Sequence, residues 1–177
     1  MVNIAQNVRV ATTGAVSFAP IGTALPLDAV AALAATFKDV GYIGPDGVTQ
    51  AIETDVTDIT AWQNGDTVRK VQTSHDVTFQ LVMLETNALS LKIYYADATA
   101  TASVVKVTGA QSLHNVVVID VIDEKRSIRI VLPDAQVTER GEIVYQNEEA
   151  TGYDITLTAY PDADGVKAYI YLDDGEV

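Results

Sequence analysis

Over much of its length the chain alternates. Val77, Phe79, Leu81 and Met83 are apolar while Asp76, Thr78 and Gln80 between them are polar, the period of a strand with one buried face. Tyr153, Ile155, Leu157 and Ala159 repeat the pattern against Asp154, Thr156 and Thr158. The run "VVVIDVI" at 116–122 is apolar on both faces except for Asp120, so it reads as a well-buried strand. "DEK" follows as a turn, then "RSIRIVL", with Ile128, Ile130 and Leu132 on one face and Ser127 and Arg129 on the other. Together these predict a hairpin. A last strand, "VKAYIYL", follows the turn cluster "PDADG". At the start, Val8, Val10, Val16 and Phe18 are spaced by two or multiples of two and give the arm 1–22 a strand-forming pattern.

Two segments carry the helical period instead. "LDAVAALAATF" places Val30, Leu33, Ala34 and Phe37 on one face, with Asp28 in the first turn. "LETNALSLKIYYA" places Leu84, Ala88, Leu91 and Tyr95 on one stripe, with Thr86 or Asn87 as the cap. Many strands and few helices predict a mainly β fold, an antiparallel β-sandwich or barrel. Nothing resembles a linker, so residues 1–177 are expected to form a single domain.

Between Pro45-Asp46-Gly47, a turn signal, and Gly65-Asp66 the chain is rich in Thr and Asp. Val48, Ile52, Val56 and Ile59 are its sparse apolar positions. This predicts a long loop over 44–66, and loops of that length are commonly functional. It carries the chain's one tryptophan, Trp62. The run 68–73 that follows is polar on both faces apart from Val68 and Val71.

Composition narrows the function. There is no cysteine, which excludes disulfides, thiolate metal sites and cysteine nucleophiles. The 11 basic and 24 acidic residues give −13, which repels nucleic acid at long range. No apolar run reaches a membrane-spanning length, and "MVNIAQNVRVATTG" lacks the signature of a signal peptide. His75 and His114 are isolated from each other in sequence and read as structural. Placing Gly165 at position six of a calcium loop puts Tyr160 and Tyr171 where carboxylates are needed. "YPDADGV" is therefore a turn, with Asp162 and Asp164 left as a weak divalent pair at most. Glu148-Glu149 and Asp173-Asp174 point to opposite faces in extended chain and make poor acid–base dyads. No phosphate loop or nucleophile elbow is present. The expectation is no enzyme, no catalytic residues, no cofactor and no metal.

Three segments resemble the tail tube proteins (major tail proteins) of long flexible-tailed phages, the siphophages. They are "TALPLDAVAALAATFKDVGYIGPDGVT" at 23–49, "ITAWQNGDTVRKVQTSHDVTFQLVMLETN" at 59–87 and "LPDAQVTERGEIVYQNEEATGYDITLTAYPD" at 132–162. "GPDG" departs from the more acidic Ser-Glu-Asp-Gly form of that turn, and the stretch 96–115 lies outside the resemblance. The resemblance implies a structural virion protein: a β-sandwich with a flanking α-helix that forms hexameric rings, which stack into a tube. Inner sheets would join into a closed β-barrel around the lumen. The partners implied are further copies of the chain, the tape measure protein, and tail terminator and tail tip proteins. DNA would pass through the lumen without specific binding, with no membrane involved. Assembly would take place in the bacterial host cytoplasm, and the product in the virion tail. The arm 1–22 and loop 44–66 would bridge rings, with a short acidic tail at 173–177. Some relatives carry an extra immunoglobulin-like domain at the C-terminus; with the chain ending at "DDGEV", none is expected here.

The residues themselves agree with this at several points. Ring closure would remove the exposed edges of a sandwich. A strand polar on both faces suits a wet lumen, and an acidic wall does not grip phosphate. Candidate inter-subunit or inter-ring contacts are Trp62, Ile59, Val56, Ile52, Pro45 and Phe18. Candidate lumen-facing residues are Arg69, Gln72, Asp76, Thr78 and Gln80. Trp62 reads either as an anchor on a neighbouring subunit or as core of its own sandwich. The alternative function is a β-sandwich binding or adhesion module for carbohydrate or surfaces; the tyrosines are dispersed apart from Tyr94-Tyr95 and the Tyr169/Tyr171 pair, whose shared strand face would be a small aromatic platform.

Overall fold

The computed structural model describes residue 3 and residues 7–175. Its strands, in chain order, are β1 (Thr13–Pro20), β2 (Lys38–Asp39), β3 (Ile43–Thr60), β4 (Thr67–Met83), β5 (Asn115–Asp123), β6 (Arg126–Arg140), β7 (Tyr153–Tyr160) and β8 (Tyr169–Asp173). The α-helix among the described residues is α1 (Ala88–Tyr95). All pairings are antiparallel, in the order β2-β1-β5-β6-β7-β4-β3, with β8 also on β6.

This order forces curvature. A flat sheet would hold β2 and β3 roughly 29 Å apart at about 4.8 Å per strand. Yet only residues 40–42 join them, and such a link reaches at most roughly 14 Å. The sheet therefore curls until its edges nearly meet. The seam is held by Val40 N donating to Val16 O at 3.0 Å and Leu84 N donating to Tyr42 O at 2.9 Å. Inside the curl lie Val16, Phe18, Phe79, Leu81, Met83, Val117, Ile119, Leu132, Ile155 and Leu157. These are the alternating apolar positions of the sequence, and they make one core instead of the cores of separate sheets.

The helix closes one end of the curl. Asn87 caps it, its side chain accepting from Leu89 N and Ser90 N at 2.9 Å each. The same amide donates to Val40 O at 3.0 Å, so the cap also ties the helix to the seam. The buried residues are Ser90, Leu91, Ile93 and Tyr94. Of the expected stripe Leu84, Ala88, Leu91 and Tyr95, only Leu91 is among them.

The helix expected at 27–37 does not form. Asp28 accepts from Val30 N and Ala31 N, as a cap would, and these bonds hold its carboxyl below the usual range, Ala31 foremost. But the carbonyls a helix needs are taken from the sheet. Arg129 Nη1 donates to Ala31 O at 2.6 Å and Asp28 O at 3.3 Å, and Ser127 Oγ to Ala29 O at 3.4 Å. The segment lies instead as an irregular strap, with Phe37, Leu33 and Leu25 on Val116, Val118 and Val131. Arg129 also grips Asp120 through Nε–Oδ1 at 2.6 Å and Nη2–Oδ2 at 3.2 Å.

Two further expectations change. Residues 44–60 of the segment read as a loop at 44–66 belong to strand β3, and only the tip remains a turn. The many β-branched Thr, Val and Ile residues there favour a pleated strand, a signal masked by their polar neighbours. Of the arm read at 1–22, residues 13–20 are strand β1, which pairs with both β2 and β5, and residues 16–19 are buried. Its first residues, other than residue 3, lie outside the described residues up to position 6, as do 176 and 177 of the acidic tail.

Candidate assembly surfaces

β3 and β4 pair from Ile43↔Met83 out to Thr60↔Thr67, but β7 covers β4 only from Thr78 to Met83. Beyond Ile52↔Val77 the hairpin is a bare two-stranded ribbon, roughly 25–30 Å long at about 3.3 Å per residue. Such a ribbon is marginal alone in water, and both of its long edges have unsatisfied ladder groups that invite another strand. Its own links are few: Lys70 with Asp58 at 3.0 Å, and Ser74 Oγ with Asp55 Oδ2 at 2.9 Å. At the tip, Ala61 N donates to Asp66 O at 2.8 Å, with Asn64 and Gly65 at positive φ.

The predicted contact residues separate cleanly. Trp62 is 97% exposed at the tip, and Ile52, Val56 and Ile59 are 60%, 55% and 46% exposed along the ribbon. Pro45 is exposed at its base, where an edge strand tolerates the missing N–H. Phe18 is the correction. It is 3% exposed in the chain's own core, because β1 is an inner strand, so it has no surface to offer a neighbour.

The faces of the ribbon are set by a bulge. Asp55 pairs with Ser74 and Val56 with Gln72, so Thr73 is the extra residue and the alternation of β4 inverts there. Arg69 therefore shares the outward face with Asp76, Thr78 and Gln80. Gln72, expected with them, lies on the opposite face, which continues the core side through Ile52 and Val56. Strict alternation from Asp76 would have given the reverse.

That outward face extends across β7 and the second half of β6 as a polar surface. Gln80 Nε2 donates to both Asp154 oxygens at 3.1 Å, and Thr138 Oγ1 meets Thr158 Oγ1 at 2.8 Å. Tyr160 donates to Gln136 Oε1 at 3.3 Å, and His114 Nδ1 meets Asp134 Oδ1 at 2.6 Å. The register adds Glu53, Asp55, Asp76 and Glu139 to the same side. Its cations among the described residues are Arg69 and Lys167, which reaches Asp76 at 3.8 Å. The other half of the outer surface is apolar and hidden under the strap. One continuous sheet thus carries a covered apolar half and an open acidic half.

Residues with a chemical motive are otherwise engaged. His114 stands beside Tyr160, ring centroids 5.2 Å apart, in its pair with Asp134. Asp162 accepts from Tyr169 Oη at 2.6 Å and from Asp164 N and Val166 N at 2.9 Å each. The tyrosine bond foremost lowers the Asp162 carboxyl, and the same bond pushes Tyr169 up to about 12. The carboxyl is thus occupied by its own turn. Among the described residues no group of His, Asp or Glu converges as a metal site, and no helix is long and apolar enough to cross a membrane. Tyr169 and Tyr171 stack at 6.4 Å but against the strap's apolar cluster. Tyr94 packs edge-on to Tyr153 at 5.4 Å. Neither pair is an open aromatic platform.

A sequence profile described as "Phage tail tube protein" matches residues 1–176. The chain belongs to the phage tail tube protein family, and it is a structural protein, not an enzyme. Among solved structures it resembles a chain of an extracellular contractile injection system, from a PVC sheath–tube complex in the extended state. The TM-score is 0.51 at 9% identity, covering 96% of this chain and 95% of that one. It also resembles a chain of the anti-feeding prophage tube-terminating cap, at TM-score 0.49 and 12% identity, covering 97% and 96%. A third likeness is to a chain from the tail of an empty gene transfer agent particle, at TM-score 0.42 and 8% identity, covering 81% and 88%. The first of these is a likeness of fold. No curated protein matches the chain in sequence.

Proposed function

We infer that the chain assembles into hexameric rings that stack into the tail tube of a long flexible-tailed phage, and that the tube conducts genomic DNA. The observation that carries this reading is the β3–β4 ribbon. It has bare edges and exposed apolar residues on both faces, and a second copy supplies what it lacks. Ring closure joins the open acidic half of each sheet to its neighbours as a barrel, with Arg69, Asp76, Thr78 and Gln80 towards the lumen. Thr156, Thr158 and Asp154 line the same wall. Carboxylates and hydroxyls there leave phosphate ungripped. The tape measure fills the lumen during assembly, and terminator and tip proteins cap the ends. The flexible-tailed lineage rests on the segments at 23–49, 59–87 and 132–162.

Negative-stain microscopy of the purified chain across a concentration series tests this. Hollow tubes or rings of uniform width with six-fold projections are expected. A monodisperse monomer at every concentration and ionic strength would refute it.

A further inference from the structure

The chain has six asparagines, and only Asn64 is followed by glycine. Asn64 and Gly65 are the central residues of the turn at the ribbon tip, with φ of 59° and 72°. Asp66 N donates to Gln63 O across them at 3.5 Å. Two successive positive φ values under such a bond make a type I′ turn, for which Asn-Gly is a favoured pair. The same pair has a second chemistry. Glycine carries no Cβ, so its backbone nitrogen comes within reach of the side-chain carbonyl carbon of the residue before it.

The tip leaves that approach unhindered. Both residues are exposed. A Cβ built on Gly65 would meet nothing within 4 Å beyond its chain neighbours, so no other segment packs against the attacking nitrogen. The Asn64 amide is unbound among the described residues. Asn87, by contrast, is held by Leu89 N, Ser90 N and Val40 O, and Asn115 donates to Leu113 O. Ring closure needs a ψ at Asn64 that a type I′ turn does not have, so it proceeds when the tip opens. At 3.5 Å the bond across the turn is weak, and the end of a two-stranded ribbon opens at low cost.

We propose that Asn64–Gly65 is a self-modification site, at which the free chain converts its own ribbon tip to isoaspartate and aspartate. The backbone nitrogen of Gly65, its proton removed by hydroxide, attacks Cγ of Asn64. The N–Cγ bond forms, the Cγ–Nδ2 bond breaks, and Nδ2 takes a proton from water and leaves as ammonia. One water then opens the succinimide. Cleavage at the side-chain carbonyl gives aspartate, and cleavage at the backbone carbonyl gives isoaspartate. The balance is one water in and one ammonia out, with no oxidant or reductant.

Either product adds a negative charge between Trp62 and Asp66. Isoaspartate also adds one carbon to the backbone of a turn whose geometry has no place for it. Resting on the tube reading above, this makes the conversion an ageing step: copies left unassembled lose a competent tip, while a tip held closed in a tube keeps its amide.

Trypsin frees the tip as residues 39–69, in which Asn64 is the only asparagine. Asn147 is the internal control, since it is also exposed but is followed by Glu148. When the dilute chain is held in mildly alkaline buffer, the tip peptide should gain the mass difference between an amide and an acid. Isoaspartate, read by enzymatic methylation, should appear there several-fold faster than at Asn147. Gly65→Ala should slow the gain several-fold, and if that variant fails to fold, the comparison with Asn147 decides. Fully converted wild type should need a several-fold higher concentration to form tubes than fresh chain. Asn64→Gly keeps a residue pair suited to the turn and should not age. Equal rates at Asn64 and Asn147, or in Gly65→Ala and wild type, would overturn the site. Equal assembly of fresh and converted chain would overturn the ageing step. Absence of tubes from fresh chain at every concentration would overturn the tube reading and the ageing step with it, while the mass of the tip peptide would still decide the modification.

Discussion

β4 runs through two environments. From Val77 to Met83 its alternate side chains are sealed in the core, and β3 and β7 satisfy its backbone on both edges. From Thr67 to Asp76 the same strand stands in solvent with one neighbour and almost no buried surface. The inner half is held by core packing and by strands on both sides. The outer half is extended because its β-branched residues and turn favour it. On the assembly proposed above, the inner half folds the chain and the outer half is what meets another copy.

Substitutions can break this contrast. Phe79→Ala, in the inner half, should cost the monomer about 3–5 kcal/mol, read as a fall in the denaturant midpoint. Arg129→Ala leaves Asp120 without its partner and frees the strap carbonyls. It should cost about 3 kcal/mol and release the strap, which hydrogen exchange at residues 28–37 would report. Asn87→Ala removes the helix cap and the bond to the seam at Val40, for about 1 kcal/mol. If any of these left the thermal midpoint unchanged, the core would not be where the structure puts it.

Smaller effects sharpen the contrast. Tyr169 titrates higher in the folded chain because Asp162 accepts its proton in a hydrogen bond. A folded pKa above the unfolded one near 10 means the bond's contribution is complete below pH 10 and is lost as pH rises towards 12. The wild type should therefore lose more stability between pH 10 and 12 than Tyr169→Phe, as followed by denaturation at each pH. Trp62→Ala, on the ribbon, should change monomer stability by less than about 0.5 kcal/mol while abolishing assembly in the microscope. A Trp62→Ala monomer that unfolds would mean the tip is part of the core after all.

Most of the inner half was readable from residues alone. Alternation places Val77 to Met83, Tyr153 to Ala159 and Ile128 to Leu132 because side-chain direction in a strand has a fixed local period of two. The cap was readable as Thr86 or Asn87 from their place just before the helix, and the structure uses Asn87. The same logic misread other places, among them the segment 44–60, read as a loop because polar neighbours masked its β-branched residues. Phe18 looked like part of an arm because nothing local says that β5 lies beside it. Residues 28–37 have the helical period, yet Arg129, about 100 positions away, takes their carbonyls. Gln72 lies on the opposite face from Asp76, Thr78 and Gln80 because the bulge at Thr73 inverts the alternation, and bulges depend on the partner strand.

The sequence by itself determined most of the strands and the helix at 88–95, because each follows from neighbours within a few residues, and it fixed the acidity by composition; it left Trp62 open between anchor and core. Only the tertiary structure decided that one sheet curls until its edges nearly meet, which half of its outer face stays open, and that Trp62 stands exposed at the tip of the ribbon. Those depend on pairing between residues distant in the chain, where contact is set by the packing of the whole and not by local period.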